Sequence, residues 1–100
     1  MSDVVSLLSQ IEDTGRDTRG PGYQRPGFSA TERELREWFL AEADRRGLDT
    51  EIDANGITWA WATPQSANAV VTGSHLDSVP GGGEFDGPLG VASALAAFDV

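Results

Sequence analysis

The sequence predicts an α/β fold, and three stretches carry that expectation. Ser29 followed by Glu32 opens a run whose apolar residues recur at helical spacing. Asn55-Gly56 separates two runs that alternate like strands. AVVTGSH, residues 69–75, is rich in small and β-branched residues, and a glycine-rich loop and Gly87-Pro88 follow it. Strand, loop and helix in that order make up the repeating unit of α/β sheets.

Val4, Leu7, Leu8 and Ile11 fall on one face of a first helix. Ser2 or Asp3 is placed to cap it and Gly15 to end it. Residues 13–27 hold four glycines, two prolines and three arginines with little apolar content, and read as loop. In the second helix Leu35, Trp38 and Phe39 form the buried stripe, and Glu32 and Arg36 stand one turn apart. Arg45 and Arg46 suit its negative end, and Gly47 suits the position after it. Leu48 to Asp53 and the run ITWAWA then form a hairpin. Ile57, Trp59 and Trp61 share a face, read first as core and second as a stacking platform for a planar ligand. A polar loop near Thr63 to Asn68 leads into AVVTGSH, read as a buried central strand. Pro88 begins the last helix, with Val91, Ala94, Leu95 and Phe98 on its inner face. Val100 falls inside that helix, which is expected of the N-terminal piece of a longer α/β protein.

Composition narrows the partners. The 100 residues carry 16 acids and 7 bases, a formal charge of -9. Nucleic acid and anionic membrane need a cationic footprint, so both are excluded as expected partners. Cysteine is absent, which removes disulfides and thiolate chemistry. The first residues, MSDVVSLLSQIED, show no basic leader and no long apolar run, so a cytoplasmic protein is expected. No base lies beyond Arg46, so Asp77, Glu84, Asp86 and Asp99 need positive charge from a metal ion or from other chain.

Residues 73–87, GSHLDSVPGGGEFDG, gather the chemistry. They contain the single histidine, three of those four acids and five of the twelve glycines. His75 stands at the carboxyl end of the expected strand, the edge where α/β sheets place their sites. Asp77, two residues on, shares its face. A carboxylate beside an imidazole holds one ring nitrogen and leaves the other for a metal. Asp86 lies at a helix start, with two oxygens to offer. Plainer readings stand beside these: a satisfied polar histidine, a turn aspartate at 77, an N-cap at 86. Gly81 to Gly83 do not form a phosphate loop, since no base is near and the spacing is wrong. Two ligand candidates fall short of the three or four that a metal takes.

The joint pattern is more specific. TGSHLDSVPGGGEFDGPLGV, together with the upstream tract GYQRPGFSATERELREWF, resembles the dinuclear-metal amidohydrolases. These include N-carbamoyl-L-amino acid hydrolases, allantoate amidohydrolases and ureidoglycolate or β-ureidopropionate hydrolases, grouped with zinc exopeptidases of the aminoacylase and carboxypeptidase type. Pro88 departs from a common alanine, and Gln24-Arg25-Pro26-Gly27 departs from a Thr-Arg-aliphatic stretch, leaving open what Arg25 does.

The resemblance implies the N-terminal part of a zinc-exopeptidase-like three-layer α/β/α catalytic domain over residues 1–100. The smaller dimerisation domain, a Glu-Glu pair with the general base, and two further histidine ligands would lie elsewhere. It implies His75 as ligand of one metal, Asp86 as bridge between two, and Asp77 as the carboxylate orienting His75. It also implies a cis Asp86-Gly87 bond. The cofactors would be two divalent ions, zinc or manganese, with nickel or cobalt as further candidates. The activity would be metal-assisted hydrolysis of a ureido or carbamoyl small molecule by a homodimer, with this stretch alone inactive. An aminopeptidase or deacylase of the same superfamily, or a non-catalytic interaction module, is the alternative.

Overall fold

The computed structural model describes residues 3–63 and 68–99. Along them run α1 (Val4–Gln10), α2 (Ala30–Arg45), β1 (Asp49–Ile52), β2 (Thr58–Trp61) and α3 (Pro88–Ala97). This is a mixed α/β arrangement of helices with a two-stranded antiparallel sheet. Ser2, residues 64–67 of the polar loop and Val100 lie outside the described residues.

Each helix starts where its capping chemistry puts it. The Asp3 carboxylate accepts from the Ser6 N–H at 2.7 Å, satisfying a first-turn donor of α1. Ser29 Oγ accepts from the Glu32 N–H at 3.2 Å, and the Glu32 carboxylate reaches back to the Phe28 N–H. Glu32 also binds Arg36 at 3.0 Å. Gly47, at φ +72°, follows α2 in the left-handed conformation expected there. α1 stops at Ile11 and not at Gly15, because turns occupy the residues between.

The hairpin forms as its turn chemistry predicts. Asp49 pairs with Trp61 and Ile52 with Thr58. Asp53 organises the turn: its carboxylate accepts from the Asn55 and Ile57 N–H groups and from the Trp59 indole. Gly56 supplies the positive φ of +85°. Trp59 and Trp61 stack at 5.7 Å, half-buried. Trp61 donates its indole N–H to Glu51. They line an open face and do not enter the core, which corrects the first reading of the tryptophans.

The core lies between α1 and α3. Leu7, Val91, Ala92 and Leu95 are buried there, flanked by Trp38 and Phe39 from α2 and by Leu76. Ala92 takes a place expected of Phe98, which is half-exposed at 48%. Phe98 is the C-cap residue that follows α3. Asp99 is not left without a cation, which corrects the expectation drawn from the charge pattern. Arg46 Nη2 meets it at 2.8 Å while Nη1 binds buried Glu42 at 3.2 Å, tying the end of α2 to the end of α3. Burial works against the Arg46 charge, but Asp99 and Glu42 outweigh it and raise its pKa.

Residues 69–75 do not form a strand. They take no place in a ladder, and Val70 is 98% exposed. β1 and β2 pair only with each other among the described residues, so this run has no neighbour to hydrogen-bond. No described helix is long and apolar enough to cross a membrane.

Leu7→Ala should lower unfolding free energy by roughly 2–5 kcal/mol in urea titration, since the side chain is fully buried. The Trp59 indole and the Ile57 N–H hold the Asp53 carboxyl below the ordinary 3.8. A depressed carboxylate stabilises above its unfolded value and loses that contribution as pH falls. The part of the tryptophan fluorescence change that follows Asp53 should therefore appear only as acid reaches its lowered value, and should be absent in Asp53→Asn.

Candidate metal site

Leu76 packs against the α1–α3 core, while His75 and Asp77 are about half exposed. His75 Nδ1 lies 3.2 Å from Asp77 Oδ1 and 3.0 Å from the Asp77 carbonyl oxygen. A neutral imidazole that donates from Nδ1 keeps its Nε2 lone pair for an electrophile. The two residues also line a groove of about 540 Å³, walled elsewhere by Trp59, Trp61, Val71 and Phe98.

The mouth of α3 presses against the same residues. Gly87 is its N-cap at φ +104°, ψ -62°, and no side chain caps the helix. A Cβ on Gly87 would fall 2.6 Å from the His75 carbonyl oxygen and 2.7 Å from ring atoms Nδ1 and Cε1. One on Gly90 would meet Ser74 Cβ at 2.6 Å. Both glycines thus let residues 74–75 lie directly on the first turn. Asp86 is exposed and does not cap α3, which removes the plain N-cap reading. Every described peptide bond is trans, Asp86-Gly87 included, contrary to the cis expectation. The positive φ of Gly87 turns the chain without it.

Between His75 and Asp86 the loop is held from outside. Ser78 N–H donates to the Arg25 carbonyl at 2.7 Å, and Arg25 N–H donates to Ser78 Oγ at 3.0 Å. Tyr23 N–H donates to Gly82 O at 2.9 Å, and Gly81 N–H to Tyr23 O at 3.0 Å. Arg25 is only 2% exposed, with its guanidinium 3.9 Å from the Tyr23 ring centroid. Burial lowers its pKa, and the Tyr23 hydroxyl partly offsets that. Sequence reasoning took residues 13–27 as plain loop. The missed signal was an aromatic and an arginine two residues apart in a stretch otherwise poor in apolar residues.

The donor types suit a divalent cation: an imidazole nitrogen with its partner nitrogen engaged, and a carboxylate outside any cap. The set is partial. His75 and Asp77 are brought together, and Asp86 follows on through Gly87, but no group of three metal-holding side chains forms among the described residues.

Comparison with known proteins finds relatives that match nearly the whole chain. The chain is 38% identical over 90 residues to an N-carbamoyl-L-amino acid amidohydrolase of Geobacillus stearothermophilus, matching 88% of this chain and 22% of that one. It is 38% identical over 94 residues to the enzyme of that name from Paenarthrobacter aurescens, matching 91% of this chain and 23% of that one. It is 31% identical over 98 residues to allantoate amidohydrolase of Escherichia coli K12, matching 96% of this chain and 24% of that one. The chain spans between a fifth and a quarter of the length of these curated relatives. No family model and no solved structure matches it.

Gly87→Ala should destabilise by at least roughly 1–2 kcal/mol from its positive φ alone. It should also displace the His75 ring, read as a shift of the imidazole Cε1–H resonance. An unmoved resonance would mean that the ring does not rest on Gly87.

Proposed function

We propose, from a chain homologous over nearly its whole length to N-carbamoyl-L-amino acid and allantoate amidohydrolases, that the protein hydrolyses a linear C–N amide bond in a ureido or carbamoyl small molecule. Allantoate and N-carbamoyl amino acids are the substrates to test. The observation that carries the site is the His75–Asp77 pairing at 3.2 Å, with Asp86 uncommitted to the helix it precedes.

In this reading His75 and Asp86 would hold the divalent ions, His75 through the ring nitrogen that Asp77 leaves free. Asp77 holds the ring by Nδ1 and fixes its tautomer. When bound, zinc or manganese supplies a water of lowered pKa and a Lewis acid for the developing oxyanion. The reading also takes residues 1–100 as the N-terminal part of a three-layer α/β/α catalytic domain. Two protein donors make about half of an ion's shell. The general base and the other ligands belong to chain outside these residues, and the stretch alone is inactive. The same reading has the whole protein act as a cytoplasmic homodimer.

The native protein should release ammonia from allantoate or an N-carbamoyl amino acid in manganese or zinc, and lose this activity on chelation. Asp77→Ala should cost about 10–100-fold, and His75→Ala or Asp86→Ala more. Cleavage of peptides or N-acyl amino acids alone would move the reading to an aminopeptidase or deacylase.

A further inference from the structure

We propose that Arg25, acting with Tyr23 and Ser78, is a positioning residue for the cation site of His75 and Asp86; this rests on the reading just given. The two ligands are joined by residues 76–85, which include Gly81 to Gly83 and no regular element. Glycine-rich chain has the most backbone freedom to lose, so nothing local fixes the separation of the ligands. The fixing comes from the 23–25 segment. It grips the loop near its middle through Ser78, Gly81 and Gly82. The grip is close: a Cβ on Gly22 would fall 2.5 Å from Gly81 O.

That segment is itself fixed to the core. Arg25 Nη2 donates to Ile11 O at 2.8 Å and Nε to Thr14 O at 2.9 Å. Tyr23 Oη donates to Glu12 O at 2.6 Å. All three acceptors lie at or just past the end of α1, whose Leu7 is in the core. A line of hydrogen bonds thus runs from the core through Arg25 to the loop that carries both ligands. The buried guanidinium meets two carbonyls and an aromatic face, so its work is to hold main chain. It touches neither His75 nor Asp86, which makes it a positioning residue and not a catalytic one.

The test titrates MnCl2 into the native protein and its Arg25→Gln, Arg25→Lys, Ser78→Ala and His75→Ala variants by calorimetry, with thermal melting of each. Arg25→Gln and Ser78→Ala should weaken manganese binding about tenfold, the range in which groups behind a ligand act. Arg25→Lys, which keeps the charge and reaches one carbonyl, should recover part of the loss. Variants that melt cooperatively and bind manganese like the native protein would overturn the proposal while leaving the site intact. Binding that survives His75→Ala would overturn the site reading and the proposal with it. Should Arg25→Gln fail to fold, Ser78→Ala decides, since it keeps the guanidinium in place.

Discussion

A buried guanidinium that has no acid beside it among the described residues is the constraint around which this structure is arranged. Removing an ion from water costs several kcal/mol even after relaxation. Arg25 offsets that cost with two charge-assisted bonds to carbonyls and with the face of Tyr23. Those carbonyls, of Ile11 and Thr14, come from the turns that follow α1. One side chain therefore closes the end of α1 and orders a loop with too little apolar content to order itself. Among described residues, no buried side-chain nitrogen or oxygen lacks a partner.

Close approach is the second constraint, and glycine supplies it. Gly22 lies on Gly81, Gly87 on His75 and Gly90 on Ser74, each closer than a Cβ permits. The first contact seats the 23–25 segment on the loop. The other two seat the mouth of α3 on the residues before Asp77. Leu76 completes the placement: its partly buried side chain packs against the core while His75 and Asp77 stay about half exposed.

Local chemistry was legible in the sequence and long-range pairing was not. Asp3 and Ser29 capped their helices, Asn55-Gly56 turned the hairpin and Pro88 opened α3, because each acts within four residues of itself. His75 and Asp77 do come together, as expected, but on loop backbone and not on a strand. Arg25 bonding Ser78 and Arg46 bonding Asp99 span 53 residues each, and no local pattern announces them. The valines of residues 69–75 show the opposite limit. Their composition suits a buried strand, but burial requires neighbouring strands, and the hairpin supplies none.

One local rule is broken in a way that bears on function. A helix start with an adjacent aspartate would ordinarily use it as a cap, for about 1 kcal/mol. α3 begins instead at Gly87, uncapped, with Asp86 one residue too early to serve. The glycine is required by the His75 ring, since any Cβ there would strike it. Helix capping has thus given way to contact between the histidine and the helix mouth. Departures from local consistency gather where a protein needs an arrangement for something other than its own stability. Here the departure sets an imidazole against the helix mouth and leaves the Asp86 carboxylate out of the cap, with Asp77 already holding one nitrogen of the imidazole.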